Sequence, residues 1–379
     1  MDDVSGNISK QWNKHHAVYI SNASMPREML EKEFCVRFIS SSPHASPMEL
    51  IKGVKESIRA AADDGLVAWD CKYQEEIMLI PYGLFKAGDN PMQAEECSHG
   101  GLHCNYFCRT CKVGGTMAVK QSDEGYLKLF EIGELRQPEE TTQQVLEQIE
   151  LSKLSGGTTK VQNAVSLTGT RDNASASIVK HLLELGKRLR KREAGKPAIN
   201  EREVRNILER EFEQLLGGLP IEDHINPLLG MIGLNIHQDT PTEILHTILL
   251  GVVKYFWGQT IWILDKAHLV KTFQIRLDNL DKDGLNSLTL GSEYICRYSG
   301  SLIGKHFKSL AQVMPFLIYD LVPSTVLKGW SVIGQLVVLL WHTKFDDVEE
   351  YLVCRFHSLY PQIQAHFLSE LLGLSLAHY

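Results

Sequence analysis

Cysteine is the first residue type here whose spacing invites chemistry. Four of the eight cysteines, Cys97, Cys104, Cys108 and Cys111, fall within fifteen positions. Cys108-Arg-Thr-Cys111-Lys-Val-Gly-Gly115 is a Cys-x-x-Cys with a glycine pair just behind it. A tight turn of that kind lets two thiolates face one ion, so it makes a half-site for tetrahedral zinc. The other two ligands are either local, Cys104 with His103 or His99, or lie farther along the chain at His237 and His246. The competing reading is a redox or free thiol pair, although no thioredoxin-like Trp or Pro flanks it. A zinc here would be structural, because a structural site is closed and all-protein.

Carboxylates form the second set. Asp2 and Asp3 open the run Asp2-Asp-Val-Ser-Gly-Asn7, and Asp89 follows the apolar stretch Ile77 to Ala87. An Asp at a strand end before Gly or Asn is usually a turn former. In an RNase H-like sheet, however, the first and fourth strands are parallel neighbours whose carboxyl ends can aim two acids at one place. Such a pair can hold two Mg²⁺ ions about 3.5 to 4 Å apart, as in-line phosphoryl transfer requires. Further on, Glu243 and His246 are three residues apart on an expected helix that Thr240 or Thr242 would cap near Pro241, so they share a face. They could add a third acid and a zinc ligand, or simply be a first-turn acid and a satisfied histidine.

The third set is basic. From 180 to 196 there are seven Lys/Arg against two Glu, a local +5 that includes Lys187, Arg188, Arg190, Lys191 and Arg192. It suits a helix that contacts phosphates, or a solvated helix face. The chain as a whole has 39 Lys+Arg against 46 Asp+Glu, a net charge of −7. That balance argues against coating nucleic acid by bulk charge, so DNA contact must come from a local patch.

The elements that must position these residues are legible in outline. At 379 residues, 44% apolar and 22% charged, the chain has the composition of a soluble globular protein of two or three units. Too few cysteines are present for a disulfide scaffold, and their crowding points to a reducing compartment. The opening sixteen residues have no apolar segment and do not resemble a signal peptide. Ala17 to Ser21 and Phe34 to Ser40 read as strands, Pro47 to Asp64 as a helix, and Ile77 to Ala87 as a strand weakened by Pro81. Glu131 to Glu150 is acidic and polar, and Ser155 to Asn173 reads as a Gly/Thr/Ser-rich linker. Ile178 to Glu193 and Glu201 to Leu216 read as amphipathic helices. Beyond Asp239 the chain is mostly apolar helix, broken by a charged turn near Leu277 to Asn286. Ile244 to Leu264 and Val326 to Trp341 are apolar enough to raise a membrane span. The first contains His246, Lys254 and Gln259, and the second falls short of the ~20 residues a crossing needs, so both are expected as buried core helices with no membrane partner.

With these pieces assembled, the sequence resembles the Plavaka-type transposases of basidiomycete fungi, within the CACTA (EnSpm-like) group. The resemblance is carried by residues 2–14, 38–44, 88–95, 107–115, 240–255 and 298–305, which run across most of the chain in the family's order. It implies an α/β plus α fold: a partial RNase H-like catalytic core interrupted by a large helical insertion and followed by an all-helical C-terminal region. The expected divisions are 1–96 for the core, 97–115 for the Cys/His zinc motif, 116–238 for the insertion and 239–379 for the helical region. It also implies an Asp, Asp, Glu triad with Mg²⁺ (or Mn²⁺), cutting and joining transposon-end DNA in the nucleus, with homo-oligomerisation allowed. Carried over, the acids fall on Asp2, Asp89 and, in-chain, Glu243, and the zinc ligands on Cys108 and Cys111 with Cys104 and His246. The family's third acid is expected after the last helices, and its first strand before Asp2, so the chain reads as the middle of a longer enzyme. The expectation is therefore a transposase-derived protein inactive in this form, or a zinc-stapled DNA- or protein-binding remnant.

Overall fold

Ser46-Pro47-Met48-Glu49 starts the first long helix by a capping box. The Ser46 hydroxyl accepts the Glu49 N–H at 3.3 Å, and the Glu49 carboxylate accepts the Ser46 N–H at 2.7 Å. Proline follows at the first helical position, where its missing N–H costs nothing. The resulting helix, α1 (Pro47–Asp64), buries Met48 and Ile51 against Leu228, Leu234 and Ile236. In the computed structural model, which describes residues 2–4, 15–191, 199–281, 291–342 and 344–352, the chain divides into two units, Met1–Pro241 and Thr242–Tyr379. The fold is mixed α/β and mostly helical, with small sheets.

Strands β1 (Asp2–Val4), β2 (His15–Ile20) and β3 (Arg37–Ser42) form an antiparallel sheet in the order β1-β2-β3, with α1 packed beside β2 and β3. Two further strands, β4 (Leu66–Asp70) and β5 (Glu75–Leu79), make a separate antiparallel hairpin. Its turn is held by the Asp70 carboxylate, which accepts the N–H groups of Lys72 and Tyr73 at 2.7 and 3.1 Å. The sequence reading missed β4 and carried the next strand too far. β5 stops at Leu79, before Pro81, and the chain from Ile80 to Asp89 has no regular structure. The expected parallel pairing of a first strand with the strand leading to Asp89 is not found among the described residues; both sheets are antiparallel.

Helix α2 (Asn90–Glu96) follows Asp89. The acidic stretch beyond it is largely helix α3 (Pro138–Lys153), and the expected linker contains helix α4 (Gly157–Thr168), bounded by left-handed glycines at Gly156 and Gly169. Glycine is demanded at Gly157 by crowding: a Cβ there would lie 2.9 Å from the carbonyl oxygens of Leu151 and Ser152. Helices α5 (Ala176–Arg190) and α6 (Glu201–Leu216) complete this half. Val145 and Ile149 of α3 join Leu182 of α5 and Val204, Leu208 and Phe212 of α6 in one core. That core is why α3 forms despite a polar composition, since tertiary burial overrides weak local propensity, and α4 lies against α3.

The second unit is helical among its described residues. Helix α7 (Leu245–Lys266) opens in wider-than-α turns and is followed by α8 (Val270–Asp278), α9 (Ser292–Arg297), α10 (Gly304–Ile318) and α11 (Ser324–Leu340). Helix α7 alone, among the described residues, is long and apolar enough to cross a membrane by length and composition. Its Leu249, Val253, Trp257 and Leu264 lie in a core with Phe273, Phe307, Met314 and Trp330. At Gly329 a Cβ would fall 2.6 Å from the Phe256 ring, so glycine lets α11 meet α7 closely.

Trp330 donates its indole N–H to the Thr260 hydroxyl at 2.8 Å, and both side chains are fully buried. Thr260→Val leaves that N–H without an acceptor and should destabilise the unit by about 1 to 3 kcal/mol. Thr260→Ser, which keeps the hydroxyl, should lose much less, as read from the urea midpoint followed by tryptophan fluorescence.

Candidate functional site

Asp89 is the N-cap of α2. Its carboxylate accepts the Met92 N–H at 2.8 Å, which makes the turn-forming role the one it fills here. Helix α2 then carries buried polar groups inward. The Gln93 amide donates to the Pro241 carbonyl at 2.8 Å, and Glu96 is buried with Lys86 Nζ 3.4 Å away. Burial pushes the Glu96 carboxyl up, with Lys86 pulling the other way. At the end of the helix, Asn226 donates to the Glu96 carbonyl at 2.7 Å and to the Ser98 hydroxyl at 2.9 Å. The Cys97 thiol donates to the Ile236 carbonyl at 3.0 Å, and burial pushes it up to about 12, so it stays a thiol. Cys97 is fully buried, packed against Ile236 and Thr240.

The loop from Cys104 to Gly115 holds the other cysteines. The Thr110 N–H points at Cys108 Sγ at 3.4 Å, and the N–H groups of Val113 and Gly133 favour the Cys111 thiolate against a burial that pushes its thiol up. Cys108 and Cys111 lie close enough to act on each other electrostatically. The glycine pair has a steric reason: Gly114 sits at φ +134°, and a Cβ there would collide with the Asn105 carbonyl. Behind the loop lies Arg136, 2% exposed. Its guanidinium donates to the carbonyls of Cys108 at 3.0 Å, Thr168 at 2.8 Å and Tyr106 at 3.5 Å. Burial pulls its pKa down, and the charges of Cys108, Cys111 and Cys104 as thiolates would hold it up. Burial still pushes the Cys104 and Cys111 thiols up.

Two histidines brace this loop, and neither offers a free nitrogen. His99 Nε2–H donates to the Tyr106 carbonyl at 2.9 Å while Nδ1 accepts the Gly101 N–H at 3.0 Å. His237 Nδ1–H donates to the Arg109 carbonyl at 2.8 Å, inside the Cys-x-x-Cys, and Nε2 meets the Thr141 hydroxyl at 2.8 Å. Burial holds both imidazoles down to about 4. Cys108 and Cys111 are the neighbouring thiols that this loop brings together. No three His, Cys, Asp or Glu side chains converge as a metal cage among the described residues.

The remaining expected residues sit as follows. Glu243 and His246 belong to the second unit and touch: the Glu243 carboxylate accepts the His246 N–H at 2.6 Å and lies 3.1 Å from its Nδ1. Glu243 thus fills the capping place expected of Thr240 or Thr242; the Thr240 hydroxyl turns to the Ile236 carbonyl instead. Asp2 lies in β1 opposite Ala17, its carboxylate outside the described residues. Asp89 belongs to the first unit and Glu243 to the second. On α5, Arg190 is committed to Glu201 at 2.6 Å and to the Lys153 carbonyl at 2.9 Å, whereas Lys187, Arg188 and Lys191 are exposed. Arg192 lies outside the described residues. Sequence reasoning missed Arg136 and Glu96, and a lone Arg in an acidic stretch gives no local signal of its burial. No protein-family model, curated protein or solved structure matches the chain.

His99 and His237 set a pH dependence. The folded protein keeps both neutral, while the unfolded chain takes up protons near 6.5, so their contribution is complete above pH 6.5 and is lost as pH falls toward about 4. Each shift corresponds to about 3 kcal/mol, opposed in part by Glu96. Urea unfolding at pH 7 and pH 4.5 should show the loss, and His237→Asn should remove its share of it. Asp89→Ala should cost about 1 kcal/mol at either pH, and Asp89→Ser, which keeps a cap, much less.

Proposed function

We propose that this is a transposase-derived protein whose ancestral chemistry was Mg²⁺-dependent cleavage and strand transfer at transposon ends on an RNase H-like core. In this form that chemistry is lost, and the protein acts as a zinc-stapled DNA-binding remnant in the nucleus. The ancestry rests on the motifs that resemble Plavaka-type transposases in order along the chain, and the sequence of three strands followed by α1 is compatible with the start of such a core. The present-day reading is carried by the Cys108–Cys111 pair, with backbone N–H groups aimed at its sulfurs and the buried Arg136 guanidinium behind it.

Zinc bound here would supply a structural crosslink, with two thiolates as part of its tetrahedral ligand set. Cys108 and Cys111 would hold it. Arg136 binds the loop through its carbonyls and offsets the negative charge that thiolates add, and His237 orients the loop from Arg109.

Metal analysis of protein purified without a His tag should find about one equivalent of zinc, lost in Cys108→Ser/Cys111→Ser; less than half an equivalent in the unsubstituted protein would overturn the zinc reading. Supercoiled plasmid incubated with Mg²⁺ or Mn²⁺ should remain intact. Nicking that disappears in Asp89→Ala would show that the ancestral activity survives.

A further inference from the structure

We propose that the cavity between the start of α4 and the end of α5 is a phosphate-binding site. Its volume is about 390 Å³, and Lys187, Arg190 and Lys191 line it together with Thr158 and Thr159. Among the described residues no Asp or Glu is part of its wall, in a protein whose net charge is −7. Lys187 and Lys191 are one helical turn apart on the same face, so their like charges oppose each other across the opening. Both are exposed, and neither has an ion pair with a described residue. Arg190 adds a third cation, held in place by Glu201 and the Lys153 carbonyl.

The opposite wall suits the same ligand. Helix α4 starts without a side-chain cap, and Thr158 and Thr159 of its first turn line the cavity. The left-handed Gly156 and the crowded Gly157 let this turn lie directly on the end of α3. An anion in the cavity would relieve the Lys187–Lys191 repulsion and take hydrogen bonds from ammonium and hydroxyl groups. The chemistry recognised is a phosphate group, either of a nucleic-acid backbone or of a free phosphorylated ligand. The proposal relies on the DNA-binding reading only for the first of these sources.

The test titrates the full-length protein with inorganic phosphate by calorimetry, against sodium chloride at matched ionic strength, and separately measures the anisotropy of a labelled 30-base-pair duplex across a salt series. Phosphate should bind beyond the chloride control. Lys187→Gln/Lys191→Gln should weaken that binding tenfold or more and Thr158→Val should weaken it severalfold, while Lys180→Gln, on the same helix outside the cavity, should change it less than twofold. If the phosphate is that of DNA, the double variant should also lower the slope of log affinity against log salt by about 1 to 2. Phosphate binding lost in the variant with duplex binding unchanged supports the site and assigns it to a free phosphorylated ligand. Phosphate binding no stronger than chloride, or equal in the double variant, overturns the site, and duplex binding that persists in that case leaves the DNA reading standing.

Discussion

Burying one guanidinium is the constraint on which the first unit's candidate site depends. Arg136 keeps its charge out of water, and a buried charge is tolerated only when its donors are satisfied. Among the described residues no carboxylate hydrogen-bonds to it, although the Glu140 charge acts on it; its partners are backbone carbonyls at Tyr106, Cys108 and Thr168. Those three oxygens come from the cysteine loop and from the end of α4, so meeting the need of one side chain joins two stretches of chain. The Arg136 N–H adds a backbone bond to Thr110 at 3.0 Å, inside the same loop. A loop held this way presents Cys108 and Cys111 on a fixed turn.

Around that loop the polar groups are paired across long distances in sequence. His237 reaches Arg109, Asn226 reaches Glu96 and Ser98, and Cys97 reaches Ile236. The stretch 226–240 therefore closes over α2 and the cysteine loop through these bonds, while the buried Arg109 Nε has no hydrogen-bond partner among the described residues. Such a network makes the region specific rather than merely stable, since removing one member strands another. The second unit is built on the opposite principle. Its core is aromatic and aliphatic, with Trp257 and Trp330 each donating one indole hydrogen bond inside it.

How far the sequence could be read depends on how local the cause was. Helices α1 and α6 have the bounds expected of them, because their signals are local: Ser46 and Glu49 for one, Asn200 and Gly217 for the other. The stretch 155–173 was expected to be a linker, since its Gly, Ser and Thr content has no apolar period, yet α4 forms there because α3 lies against it. Asp89 shows the same limit from the other side. Its type and position allow a cap or a metal ligand, and only the fold around it distinguishes them.

By itself, then, the sequence determined where helices with self-contained caps begin and end, that two cysteines share one tight turn, and that one helix carries a basic face. Each of these is encoded by residues within about four positions of one another, where backbone geometry dictates the neighbours. Tertiary structure alone decided that Arg136 is buried behind the cysteines, that His237 braces Arg109, that Arg190 is committed to Glu201, and that Lys187 and Lys191 open on a cavity beside α4. Those outcomes depend on which distant groups are removed from water together, and desolvation is a property of the packed chain that no local window of residues contains.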